Sequence, residues 1–186
     1  MHDRGLAELS FRVDVGELTA FDVMTKEGPF TRLLIPGFHS SKIEGAPELP
    51  MMNRLLAVPY GAVARVEANV ISSRIIDLAD YGITNPLFPA QPSMPKNADP
   101  ETWPFVYDRA AYQVDKAAQE LVRIVAQGRL RAMDLARLEI SPVEYYPASN
   151  QIRVAETIEV RVTFDGASKA TERACYRSGG FSICDC

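Results

Sequence analysis

Apolar and polar residues alternate with a period of two through most of this chain. Leu9, Phe11, Val13 and Val15 alternate with Ser10, Arg12 and Asp14, the pattern of a strand with one buried face. Gly16 breaks that run. Leu18–Met24 and Phe30–Ile35 predict two further strands, and Pro36-Gly37 a turn. Pro47 and Pro50 lie too close together for a helix interior, so Ile43–Pro50 reads as an extended connector leading to a short strand, Leu55–Pro59. From Ala62 to Ser72, Val66, Ala68 and Val70 share one face while Arg65, Glu67 and Asn69 share the other. Arg74–Leu78 resumes the pattern after a break.

Asn85–Pro104 is dense in proline, with Pro86, Pro89, Pro92, Pro95, Pro100 and Pro104. It predicts a surface connection, partly polyproline II. Ala110–Gln119 is the one stretch that suits a helix. Glu120–Ala126 then reads as strand, Gly128 as a turn and Leu130–Ile140 as a longer strand. Pro142-Val143-Glu144-Tyr145-Tyr146-Pro147 forms a corner that turns at Ala148-Ser149-Asn150 and leaves as strand Gln151–Val154. Because side chains alternate across a strand, one of Tyr145 and Tyr146 should enter the core while the other faces out. In the last strand Ile158, Val160, Val162 and Phe164 alternate with Glu159, Arg161 and Thr163, and Asp165-Gly166 ends it. These elements predict an antiparallel β-sandwich with at most one short helix. It would span residues 9–166, between an N-terminal tail, 1–8, and a flexible tail, 167–186.

Composition narrows the chemistry. At 186 residues, 47% hydrophobic and 24% charged, the chain suits one globular domain. A net charge of −4 argues against nucleic-acid binding. No apolar run approaches the ~20 residues that span a bilayer. Residues Met1–Gly5 are polar and carry no apolar signal segment. Cys175, Cys184 and Cys186 all fall near the C-terminus, so they give the body of the domain no disulfide framework, and Cys184-Asp185-Cys186 is too short for a zinc site. Only His2 and His39 could serve as a base for a nucleophile, and neither has a partner in sequence. Asp77 with Asp80, and Glu156 with Glu159, read as solvent-face charges. No phosphate-binding glycine loop, HExxH or GxSxG occurs. The chain therefore reads as non-catalytic and without a cofactor. Trp103, Phe105, Tyr107 and Tyr112 read first as core and second as a sugar-stacking platform.

Several blocks recur in order. They are Gly45-Ala46-Pro47-Glu48-Leu49-Pro50, Leu56-Ala57-Val58-Pro59, Trp103-Pro104-Phe105-Val106-Tyr107 with Tyr112, Leu121-Val122, Gly128-Arg129-Leu130-Arg131, the Pro142–Pro147 corner and the strand Ile152–Phe164. As an ordered set over roughly residues 10–166, this resembles the pro-domain of gingipain-type cysteine peptidases. Members often carry an aromatic-proline pair where this chain has Ala117-Ala118-Gln119. The resemblance implies a secreted or cell-surface precursor whose export signal is absent from this sequence. It also implies a partner, the peptidase's catalytic domain, which the pro-domain helps to fold and holds latent. A loop would enter the substrate cleft and offer a basic side chain to the specificity pocket. Arginine suits that task because its planar donor fork binds a carboxylate bidentately. Arg129 and Arg131 are the first candidates, since a glycine turn between strands projects side chains outward; Arg109 and Lys116 are the second. The alternative is a stand-alone sandwich that binds carbohydrate or a surface.

Overall fold

The structure is a computed structural model that describes residues 8–99, 102–117, 119–130 and 133–166. The strands are β1 (Glu8–Asp14), β2 (Thr19–Thr25), β3 (Gly28–Leu34), β4 (His39–Ser40), β5 (Pro50–Val58), β6 (Val63–Asp77), β7 (Val122–Leu130), β8 (Met133–Ile140), β9 (Val143–Tyr146) and β10 (Gln151–Asp165). All their pairings are antiparallel. In one sheet β10 lies at the centre, with β6 along one side and β1 and then β9 along the other. The second sheet runs β4-β5-β8-β7, and β2-β3 form a separate ribbon.

The two sheets pack face to face as the alternation requires. Ile158, Val160 and Val162 of β10 are fully buried against Ala136, Leu138 and Ile140 of β8, joined by Met52, Val58 and Ala64. Each buried Val, Leu, Ile or Met among them contributes about 1.5–3 kcal/mol. A second cluster lies under the other half of β10. Ile76, Leu78, Ile83, Leu87, Val143, Tyr145, Ile152 and Val154 are buried there together with Leu33, Ile35 and Leu49. The antiparallel sandwich is the fold expected from the pattern.

Several local expectations need correction. The helix expected over Ala110–Gln119 does not form. Asp108 accepts a hydrogen bond from Ala110 N at 3.0 Å and starts one 3-10 turn, Arg109–Tyr112. The Tyr112 hydroxyl then donates to Leu87 O at 2.6 Å, drawing that ring inward. By Ala117 the backbone is extended, exchanging bonds of 2.7 and 3.0 Å with Tyr145. The edge of β9 takes the backbone groups that a helix would have satisfied internally.

Gly128 is not a turn either. It lies within β7 opposite Leu135, and pairing continues through Arg129↔Asp134 to Leu130↔Met133. Opposite charges facing each other across the ladder favour that register. The two strands expected at Ala62–Ser72 and Arg74–Leu78 are one strand of 15 residues, because β10 offers an equally long partner and absorbs the Ser72-Ser73 break as an irregularity. Gln151–Val154 and Ile158–Phe164 likewise belong to one strand. β5 starts at Pro50, earlier than expected, where it pairs with Ser40. The proline-dense stretch does not run wholly over the surface: Leu87, Phe88, Pro89 and Ala90 are buried, bridging to Thr31 and Pro47.

Candidate functional site

The two pairs of candidate basic residues lie in different places. Lys116 sits beside the corner formed by β9, its Nζ donating to Glu144 Oε1 at 2.6 Å. Tyr146 donates its hydroxyl to the other oxygen of Glu144 at 2.9 Å. Burial pushes the Glu144 carboxyl up, but the bonds from Lys116 and Tyr146 outweigh it and hold its pKa below the usual value. Tyr145 is 4% exposed and Tyr146 half-buried, the expected division of the corner. Arg109 is exposed, its guanidinium 6.0 Å from the centroid of the Tyr107 ring.

Arg129 lies near the far end of the β7–β8 hairpin. Its Nε donates to Asp134 Oδ1 at 2.7 Å and its Nη2 to Oδ2 at 3.2 Å. The guanidinium also stacks on Tyr60, 4.8 Å from the ring centroid. Asp134 Oδ2 accepts a third hydrogen bond, from Gly61 N at 3.4 Å. Hydrogen bonds from Arg129 hold the Asp134 carboxyl below its ordinary pKa, against a partial desolvation. Arg129 is raised in turn, chiefly by its hydrogen bond to Asp134. Two rungs inward, the Gln127 amide donates to Ala62 O at 2.7 Å and accepts from Ala64 N at 3.1 Å. Arg131, the other hairpin candidate, lies outside the described residues.

These groups cannot share one contact. Glu144 pairs with Arg153 near the start of β10, while Val63 and Gly61 lie beside its last residues, Asp165 and Gly166. At about 3.3 Å per residue, the two ends of that strand are roughly 40 Å apart.

Reading the sequence missed Asp134, Tyr60, Gly61 and Gln127. Placing the turn at Gly128 hid the signal, because Arg129 faces Asp134 only when β7 continues past Gly128 to Leu130. The aromatic block packs as core. Phe30 meets Phe88, Phe105 and Tyr107 at centroid distances of 6.1, 5.6 and 5.3 Å. That leaves the sugar-stacking reading without its platform. His39 Nε2 lies 3.1 Å from Asn53 Nδ2, a hydrogen bond that does not activate a nucleophile. An open polar depression of about 400 Å³ beside it is lined by Arg32, Lys42 and Glu48. Arg32 and Glu48 are paired to each other at 3.0 Å. Among the described residues no group of three or more His, Cys, Asp or Glu could hold a metal ion, and no helix is long and apolar enough to cross a membrane.

Known proteins are similar to this chain in sequence and in fold. The chain is 38% identical over 170 residues to Lys-gingipain of Porphyromonas gingivalis, covering 91% of this chain and 10% of that protein. It is 28% identical over 167 residues to gingipain R2 of the same organism, covering 87% of this chain and 21% of the relative. The chain thus spans about a tenth of the length of the Lys-gingipains it matches. A solved structure described as structural insight into the zymogenic latency of gingipain K from P. gingivalis superimposes with a TM-score of 0.79 at 36% identity, covering 88% of this chain and 90% of that one. A complex of P. gingivalis RgpB pro- and mature domains shares the fold, with a TM-score of 0.71 at 21% identity over 88% of this chain and 83% of that one. The family model Propeptide_C25 matches residues 2–176. The chain therefore belongs to the Propeptide_C25 family, the non-catalytic propeptides of gingipain-type cysteine peptidase precursors.

Proposed function

We propose that this domain keeps the catalytic domain of a gingipain-like cysteine peptidase latent and assists its folding, and that the precursor is secreted or displayed at the cell surface. The observation that carries the reading is the β7–β8 hairpin. Its outer residues, Ala126 through Leu130 and Met133, are all exposed, so this segment serves no core of its own. It presents arginine chemistry together with the exposed apolar side chains Leu130 and Met133. A basic side chain of such a projection suits an acidic specificity pocket, where a bidentate arginine contact is strong. The contact is competitive: the hairpin fills the cleft that a substrate would fill. Arg109 and Lys116 lie away from this hairpin, and Lys116 is already engaged by Glu144.

The test is a titration of mature Lys-gingipain and gingipain R with the isolated domain. Inhibition should be competitive and saturable. It should weaken at least about a hundredfold when Arg131 and Arg129 are both replaced by Ala, since cutting one partner from a buried charge pair costs several kcal/mol. A domain that leaves both peptidases fully active at large molar excess would refute the reading. Recovery of activity on refolding the catalytic domain, with and without the propeptide, tests the folding role separately.

A further inference from the structure

β7 is the edge of the β4-β5-β8-β7 sheet, and its outer residues, Ala126 through Leu130, bury no apolar side chain. β8 beside them is paired with β5 as far as Val58↔Asp134, so only the last rung, Leu130↔Met133, extends beyond three strands. Side chains add to that ladder. The Asp134 side chain is only 14% exposed, against 52% for Arg129. One carboxylate therefore joins three pieces of chain: β8, which carries it; β7, through both nitrogens of the Arg129 fork; and the turn between β5 and β6, through Gly61 N. Tyr60 of that turn closes the cluster under the guanidinium. Gln127 makes a second stitch to Ala62 and Ala64. Arg129 is thus engaged within its own domain, on a carboxylate and on a ring.

Building on the inhibitory reading above, we infer that Asp134 is a positioning residue for the contact with the peptidase. It fixes the outer rungs of the hairpin on the β5–β6 turn, so the projection meets the cleft in one orientation and little ordering is left for the moment of binding. Arg129 is the internal partner in this arrangement and does not enter the pocket. The opposite assignment makes an opposite forecast. If Arg129 were the entering group, Asp134 would hold it back, and removing the carboxylate would strengthen inhibition.

The experiment measures inhibition constants, with association and dissociation rates, of the 186-residue chain against mature Lys-gingipain and gingipain R. The variants are Asp134→Asn, Arg129→Ala, the double variant Arg129→Ala/Asp134→Ala, and Asp134→Glu. Asp134→Asn and Arg129→Ala should each weaken inhibition at least about tenfold, or about 1.4 kcal/mol. The double variant should lose no more than the larger single loss, because both changes break one device. Asp134→Glu should recover to within about threefold of the parent, a rescue that a general loss of stability would not show. Amide hydrogen exchange at Gly61 and Arg129 should quicken in Asp134→Asn while exchange at Ile158 and Val160 stays unchanged. If Asp134→Asn does not fold, the charge-free double variant carries the same comparison. The inference is overturned if loss of the carboxylate leaves inhibition equal or stronger, or if the two single losses add. A parent that inhibits while Asp134→Asn behaves identically overturns the positioning role alone; a parent that inhibits neither peptidase overturns the inhibitory reading with it.

Discussion

Beside the two ends of β10 lie ion pairs of nearly equal length in different settings. At one end Lys116 meets Glu144 at 2.6 Å; at the other Arg129 meets Asp134 at 2.7 Å. Beneath the first lie Tyr145, Val143, Ile152 and Val154, all buried. Ala117, one residue from Lys116, is already bound to β9 through two backbone hydrogen bonds. The pair there decorates a segment that the core has fixed. At the hairpin end Leu130 is 62% and Met133 55% exposed, so no core backs the last rung, and the Asp134 cluster adds to the β5-β8-β7 ladder there. A salt bridge therefore has no worth of its own. What it does depends on whether anything else already holds the groups it joins.

The largest effect should separate the two ends outright. Tyr145→Ala removes a buried ring from the corner and should destabilise by about 3–5 kcal/mol. Leu130→Ala at the hairpin should stay within about 0.5 kcal/mol. Chemical denaturation of both variants checks this, and similar losses at the two positions would erase the contrast. Tyr146→Ala, which loses mainly the bond to Glu144, should fall between them.

Two glycines sharpen the same contrast with a smaller effect. Gly45 has a φ of +78°, and an added Cβ would meet Asp108 N at 2.9 Å and Val106 Cγ1 at 3.2 Å. Its own backbone is tied on both sides, to Ala90 O and Asp108 N. Gly45→Ala should destabilise by roughly 1–3 kcal/mol, the scale of a strained backbone position. Gly128 meets nothing within 4 Å and lies in a strand. Gly128→Ala should be neutral, or stabilising by up to about 1 kcal/mol, because alanine has fewer unfolded conformations to lose. Thermal melts of the pair decide it: a large loss at Gly128 would mean that the hairpin turns there after all.

Much of this architecture could be read from the chain, and the exceptions share a cause. Ile158, Val160 and Val162 announce a buried strand face because their neighbours Glu159 and Arg161 are charged, and the sandwich follows from several such runs. The same period cannot say where one strand ends and the next begins. Ser72-Ser73 looks like a break until β10 is seen to run past it. Ala110–Gln119 has helical composition, but its backbone is claimed by Tyr145, more than 25 residues away in the chain. Leu87–Ala90 looked like linker because proline signals exposure only on average. At the candidate site, Arg129 could be found as a basic residue near a glycine, whereas Asp134 and Tyr60 acquire meaning only once the register and the β5–β6 turn bring them together. Local pattern encodes faces; tertiary pairing encodes partners.

A third measurement compares the ion pairs directly. Lys116→Ala should change stability by no more than about 1 kcal/mol, as for other solvent-accessible pairs, and Arg129→Ala should have a similarly small effect. They should diverge in local behaviour. Amide exchange around Ala117 should hardly respond in the first variant, while exchange at Gly61 should quicken in the second. Equal responses would mean that the corner depends on its salt bridge as much as the hairpin does.

The smallest effect is acid sensitivity, and its sign follows from the carboxylates. Asp134 and Glu144 both have folded pKa values below their unfolded ones. Near and below about pH 4 the unfolded chain therefore binds more protons at these positions than the folded chain does. Their contribution to stability is complete above that range and is lost as pH falls through the folded values. Against the parent, Asp134→Asn should show its full stability difference at neutral pH, and the difference should shrink toward zero on acidification. Glu144→Gln should behave the same way. The two should differ in what accompanies the titration. Protonating Asp134 should loosen the hairpin and speed exchange at Gly61, whereas protonating Glu144 should leave the corner closed over Tyr145. Carboxyl titration by NMR, with exchange followed in the same samples, reads both effects. A stability difference that grows as pH falls would reverse the sign argued for these groups, and a corner that opens when Glu144 protonates would show that its core does not hold the segment unaided.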